Sequence, residues 1–354
     1  MEEKTYRYRH LARIIVEAVT PIAIGTGSKD ILTDAPVVRD INGLPYIPAT
    51  SLAGVIRHAL GIADDQEGIF GHHDKKGGLG SRVIFTDAVM MGKEGKVMDG
   101  IQEIPENDAF YAYYRELNIR QHVRIDHKGV AEDNGKFDNE VVYKGTRFVF
   151  EMELVSDSEH EDSYEQALAT LCNDAFRVGG GTRCGYGKLE IVSCKRATLD
   201  LENKEDLDAY LAKSSCLSSC WERFRETDIP QASTGDWVKY TLSLQPRDFF
   251  LIGSGMGDDE ADNTPMRERE VRWEDGKPKF SEYQVFIPAS SVKGALSHRT
   301  AYHYNKSVGN FADNMDEAER KTRVGSDNKA VSDIFGRGKD SKDSEQGKII
   351  ISDH

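Results

Sequence analysis

From His10 to Val19 the chain alternates, with Leu11, Arg13, Ile15 and Glu17 set against Ala12, Ile14, Val16 and Ala18. A period of two with this β-branched content predicts a strand with one buried face. A turn at Ile24-Gly25-Thr26-Gly27 and a polar, turn-rich stretch carrying Asp34 come next. Leu52, Val55, Ile56, Ala59 and Leu60 then recur at helical spacing, which predicts an amphipathic helix from about Ser51 to Leu60. Pro48 forbids an earlier start, and Thr50 or Ser51 is expected to cap the first turn. Such a start points unpaired N–H groups outward, with Arg57 two turns on, and offers a seat to a phosphate.

Further along, strands are expected at Arg82 to Ala88, Arg147 to Leu154 and Tyr186 to Val192. An amphipathic helix is expected from Ser163 to Phe176, stopped by Gly179-Gly180-Gly181. Residues 89–144 form a charged, interrupted excursion with an aromatic cluster at Phe110, Tyr111, Tyr113 and Tyr114. Its Asp133-Asn134-Gly135 centre favours a hairpin turn. The order strand, helix, strand, strand, helix, strand is the α+β, ferredoxin-like split βαβ arrangement, shared with RNA-recognition domains (RRM-like).

The first half of that order recurs. Ile252-Gly253-Ser254-Gly255 repeats Ile24-Gly25-Thr26-Gly27, and the segment Ile287 to Leu296 repeats Ile47 to Ile56. Ile334-Phe335-Gly336 repeats Ile69-Phe70-Gly71, and Lys348 to Asp353 repeats Arg82 to Asp87. Matches in one order mean an internal duplication. The expected organisation is a complete domain over 1–198 with 89–144 inserted, a helical polar connector over 199–234, and over 235–354 the first half of a second domain. There a strand is expected at Lys239 to Leu244, a helix from Ser291 and a strand at Gly347 to Ser352. A half fold of this kind exposes sheet edge and core, so the second copy is expected to be completed by further polypeptide, its own or another chain's.

Composition narrows the class. The 354 residues are 38% hydrophobic and 30% charged, a polar-surfaced globular pattern. No apolar run nears the ~20 residues of a membrane span, and charges thread the N-terminal stretch, so a cytoplasmic protein is expected, with no membrane partner. A net charge of −14 predicts weak affinity for random nucleic acid, leaving local basic grooves as the means of holding RNA. Five cysteines without a paired framework argue against a disulfide scaffold. Cys216 and Cys220, like His72 and His73, lack the second ligand pair that a zinc site needs.

The stretches IGTG, TDAPVVRD, LPYIPATSLAGVIR, IFG, RVIFTDA, RIDHKGVAEDNGKFDNEVVYKGTRF and RVGGGTRCGYGKLEI resemble the RAMP superfamily. More narrowly they are similar to backbone subunits of type III CRISPR effector complexes, and the second copy, through IGSG, IPASSVKG, DIFG and KIIISD, suggests a fused multi-repeat form. The resemblance implies tandem ferredoxin-like RAMP domains, the first complete with a thumb-type insertion, the second incomplete. It implies CRISPR guide RNA, complementary target RNA and other effector subunits as partners. It also implies an aspartate in the loop before the first helix that cuts target RNA with a divalent metal, Mg2+ or Mn2+. That aspartate and metal ligand maps to Asp34.

In the second copy, counting without gaps puts Asp262 opposite Asp34, whereas aligning on the proline puts Asn263 there. Residues expected near RNA are Arg39, Thr50, Ser51 and Arg57, then Arg124 and Lys128 of the insertion. The glycine-rich loop adds Gly180, Gly181, Arg183, Tyr186 and Lys188, where glycines admit the sugar-phosphate chain and Tyr186 could stack on a base. The second copy adds Ser290, Ser291, Lys293 and Arg299. Two other readings stay open: a guide-binding scaffold without catalysis, and a metal-independent guide-processing endonuclease using His10, His58 or His122.

Overall fold

The computed structural model describes residues 6–30, 33–61, 68–74, 77–126, 128–229, 237–255, 257, 259–337 and 344–353. The expected domain edges Gly235 and His354 lie outside them.

The alternation at the start of the chain forms β1 (Tyr8–Ala18), and the helical spacing forms α1 (Ala49–Ala59). Two short strands follow, β2 (Val83–Phe85) and β3 (Val89–Met90). The excursion holds α2 (Ala109–Arg115) and a long hairpin of β4 (Asn118–Ile125) and β5 (Ala131–Val141). Then come β6 (Arg147–Ser156), α3 (Asp162–Thr170), β7 (Leu189–Asp200), α4 (Lys204–Leu211) and β8 (Arg225–Glu226). One antiparallel sheet runs in the order β8-β7-β1-β6-β2, with β3 also paired to β6.

The period of two in β1 divides its side chains between two faces. Ala12, Ile14, Val16 and Ala18 enter the main core with Leu52 and Ile56 of α1 and Tyr164, Ala167 and Leu168 of α3. Each such aliphatic side chain stabilises the fold by roughly 1.5–3 kcal/mol on burial. Leu11, on the other face, packs in a second cluster with Leu199 and Phe224. The connector therefore covers this sheet face, and among its described residues it is helical only over Lys204–Leu211. There Glu151 accepts from Arg13 and from Lys213, both at 2.7 Å, with all three side chains nearly buried.

Several expected boundaries move. Strand β7 continues to Asp200 because its polar-looking half keeps pairing with β1, Tyr8 opposite Asp200. Helix α3 ends at Thr170, and the chain reaches Phe176 through turns in which the Asn173 side chain accepts the Ala175 N–H. The hairpin reverses at Asp126–Val130 instead of Asp133–Gly135. The Asp126 carboxylate takes the N–H groups of Lys128 and Val130, and Gly129 supplies the positive φ. Asn134, at φ 56°, sits inside β5, where the ladder register shifts. His72–Asp74 and Gly77–Leu79 pair as a short hairpin.

In the second copy the helix forms as α5 (Ala289–Ser307). Preceding it, β9 (Val271–Glu274) and β10 (Lys277–Phe280) make a hairpin whose Phe280 packs on Phe110, Tyr113, Tyr114 and Tyr143 of the first copy. The strands expected at Lys239 to Leu244 and Gly347 to Ser352 do not form. Strand β1 has β7 on one side and β6 on the other, and no described residues pair with 239–244 in that way. Leu242 and Leu244 are accordingly 72% and 68% exposed.

Candidate nucleic-acid interface

The Asp34 loop is held by the inserted hairpin. Successive residues of a strand face opposite ways, so Asp138 and Glu140 of β5 share one face, and it is turned to the loop. The Asp138 carboxylate accepts from the Thr33 hydroxyl and from the Asp34 N–H, both at 2.8 Å. The Glu140 N–H donates to the Ala35 carbonyl at 3.1 Å, and the Glu140 carboxylate takes the Val37 N–H at 2.7 Å and the Arg39 guanidinium at 2.6 Å. Asp34 itself stays exposed, with Lys29 Nζ 2.8 Å from its carboxylate. That ammonium holds the Asp34 carboxyl below the usual carboxylate range, so it is ionised at neutral pH.

Arg39, expected at RNA, also donates to the carbonyls of Gly43 and Tyr114, so its fork is occupied within the protein.

The glycine-rich loop meets the Asp34 loop. A cleft of about 200 Å3 is lined by Gly25, Ala35, Asn139, Glu140, Gly180 and Gly181. Gly180 donates its N–H to the Ala23 carbonyl at 2.7 Å. Gly181 has φ +66°, and a Cβ there would fall 2.4 Å from the Tyr186 ring. Tyr186 is only 2% exposed, so the expected stacking on a base is corrected. Its ring supports Gly181 and its hydroxyl meets His122 Nε2 at 3.1 Å, because the loop folds over it. Arg183 lies over the Trp237 ring at 5.2 Å, and Lys188 pairs with Asp174 at 2.9 Å.

The helix starts are capped differently from expectation. The residue before each helix is a proline, Pro48 or Pro288, and no side chain of Thr50, Ser51, Ser290 or Ser291 caps. The first N–H goes to a carboxylate from further along the chain: Ala49 to Asp87 at 2.7 Å, and Ala289 to Asp353 at 2.7 Å. The negative charge that suits a helix N-terminus is thus already present there, and the expected phosphate seat is filled by protein. Thr50 is exposed and Ser51 half-buried beside it.

The duplicated loop resolves its own register. Gly25 bridges Val37, and Gly253 bridges Pro265. Thr26 donates to the Pro36 carbonyl at 3.1 Å as Ser254 does to Thr264 at 2.8 Å, and Val38 to Ile24 at 2.9 Å as Met266 to Ile252 at 2.8 Å. This is the ungapped alignment, so Asp262 and not Asn263 occupies the position of Asp34, and it is exposed. The loop lies against the other strand of the hairpin, where a Cβ on Gly255 would stand 2.9 Å from Gln121 Oε1.

The remaining cations are dispersed. Arg57 is half-buried on α1 and Arg124 is exposed on β4. Lys128 reaches Glu317 at 2.8 Å, Lys293 Nζ is 3.9 Å from Cys184 Sγ, and Arg299 lies over Tyr302 at 4.6 Å. The three histidines lie on separate elements. His10 is buried against the Ser158 carbonyl and the Thr198 hydroxyl, His58 is exposed on α1, and His122 stacks on Phe137. Cys216 sits beside Ser218 in a turn, not a helix. Among the described residues no three His, Cys, Asp or Glu side chains gather as a metal site, and no helix is long and apolar enough to cross a membrane.

The residues that build the site, Asp138 and Glu140, were not singled out from the sequence. Their spacing of two in a charged segment was the available signal.

The RAMP superfamily model matches residues 15–190. A protein of Methanocaldococcus jannaschii, described as CRISPR system Cms endoribonuclease Csm3, is 31% identical over 224 residues, 55% of this chain and 83% of that protein.

Proposed function

The chain belongs to the RAMP superfamily, and from that premise we propose that it is a guide-RNA-binding backbone subunit of a type III CRISPR effector that cuts complementary target RNA at Asp34, and at Asp262 in the second copy. The fold reading is tandem ferredoxin-like domains. It is supported by the sheet order β7-β1-β6-β2 with α1 and α3 on one face, and by the repeated loop and helix start of residues 252–296.

The observation that carries the proposal is Asp34 itself: an exposed, ionised carboxylate on a loop whose backbone is pinned by Asp138 at 2.8 Å. RNA cleavage requires a 2′-hydroxyl in line with its phosphate, which A-form pairing prevents. A hairpin inserted beside the loop supplies the wedge that frees one nucleotide. A carboxyl held below its usual range is a poor proton acceptor near neutrality, which favours metal holding over general-base work. Mg2+ and Mn2+ sites of this kind use one or two carboxylates and complete their shell with phosphate and water. Asp34, around which no group of three His, Cys, Asp or Glu side chains gathers among the described residues, fits that pattern. A divalent cation bound there supplies neutralisation of the charge growing on the phosphate. The chain's own part is to hold Asp34, through Thr33 and Asp138, where the displaced nucleotide passes the Gly180–Gly181 cleft.

The test is cleavage of a matched target by the assembled complex, with and without Mg2+. Asp34→Ala should abolish the cut at its position and leave guide and target binding intact. Unchanged cutting removes Asp34 from the mechanism, and a complex that binds but never cuts leaves the scaffold reading.

A further inference from the structure

We propose that the two carboxylate loops differ in the divalent cation concentration they need. Lys29 raises the demand of the Asp34 loop, and the Asp262 loop, which has no room for such a lysine, works at lower concentration. The proposal rests on the reading of Asp34 and Asp262 as metal-holding cutters, and it names the residue that sets the two apart.

The first loop carries its own counter-ion. Lys29 Nζ lies 2.8 Å from the Asp34 carboxylate, with the lysine side chain 77% exposed and the carboxylate 41%. An ammonium and a divalent cation seek the same oxygen atoms. Lys29 therefore has to swing away before Asp34 can hold a metal ion, and the strength of the lost pair is subtracted from the affinity for that ion. Because the pair stands in water, this cost is modest.

The second loop cannot do the same. The backbone bonds that fix its register put Gly257 at the place of Lys29 and Asp262 at that of Asp34. A Cβ on Gly257 would fall 2.5 Å from the Ala261 carbonyl oxygen and 2.8 Å from that of Asp262. A lysine side chain is thus excluded there by the fold of the loop itself. Among the described residues no lysine or arginine pairs with Asp262. Over residues 28–34 one lysine accompanies two aspartates, whereas over 256–262 four acids stand with no lysine or arginine. The local field draws cations to Asp262 and is offset at Asp34. At limiting Mg2+ the target is cut first at the Asp262 position.

The test runs the assembled complex, with guide and end-labelled target, over a series of Mg2+ concentrations. The cut at the Asp34 position should need about two- to fivefold more Mg2+ than the cut at the Asp262 position, the factor that an exposed ion pair is worth. Lys29→Ala should lower the demand at Asp34 by about that factor and leave the Asp262 cut where it was. Lys29→Arg, which keeps the cation, should keep the higher demand. A second readout needs no cleavage. The Asp262→Ala complex is loaded with a target that carries 2′-deoxy sugars at both cut positions, and Mn2+ binding is followed by electron paramagnetic resonance. Adding Lys29→Ala should tighten Mn2+ about two- to fivefold, and adding Asp34→Ala should remove that binding. Equal Mg2+ demand at the two positions, the reverse order, or indifference of either assay to Lys29→Ala would overturn the proposal. Cuts that persist in Asp34→Ala and Asp262→Ala defeat the nuclease reading instead, and for a complex that does not cut the Mn2+ titration decides.

Discussion

Gln121 and Asp138 stand directly opposite each other across the β4–β5 hairpin. Asp138 holds the backbone of Asp34, and Gln121 abuts Gly255 in the loop that carries Asp262. One strand pair therefore separates two equivalent carboxylate loops.

This placement makes two cuts on one target the expected outcome. Asp34→Ala should delete one product and Asp262→Ala the other, with the double variant inactive. Gel analysis of end-labelled target resolves the two. Loss of both products from either single variant would mean one site, not two.

Asp138 fixes the backbone of the Asp34 loop. Asp138→Ala strips the acceptor from the Thr33 hydroxyl and the Asp34 N–H. Cleavage at the Asp34 position should fall by up to about 100-fold, since small misplacements of a reacting group cost that much. Target affinity should hold, and Asp138→Asn, which keeps an accepting oxygen, should recover part of the rate.

Gly145 joins the copies. It has φ +82°, and a Cβ would lie 1.8 Å from the Val271 carbonyl oxygen. Gly145→Ala should push the 271–280 hairpin off the first copy and destabilise the chain by about 1–3 kcal/mol or more. A lowered melting temperature with faster proteolysis near residue 271 is the readout.

Glu151 neutralises Arg13 and Lys213 in a nearly buried group. Glu151→Ala leaves both cations without their carboxylate and should cost about 3–5 kcal/mol, measured by denaturant unfolding.

Burial depresses the His10 pKa below 6.5. The unfolded chain then takes up a proton that folded His10 resists. The stability is full above pH 6.5 and is lost as pH falls from there toward the folded pKa. The melting temperature should drop between pH 7.5 and 5.5, and His10→Asn should flatten that drop. His122, also depressed by burial, accounts for part of the remainder.

The sequence alone determined the elements with strong periodicity, β1 and α1, because a two-faced strand or helix announces itself in which positions are apolar. It also determined the duplication, the family resemblance and the position of Asp34, since these are matters of residue order. Tertiary structure decided what those residues meet. Tyr186 reads as a base platform, but its ring is buried under Gly181. Thr50 and Ser51 read as caps, but Asp87, distant in sequence, takes the first N–H. Asp262 and Asn263 were equal on paper until the backbone bonds of Gly253, Ser254 and Met266 set the register. Residues 239–244 alternate as a strand should but pair with no strand among the described residues. Hydrogen bonds and ion pairs between distant segments depend on which chains lie side by side, and local pattern carries no record of that.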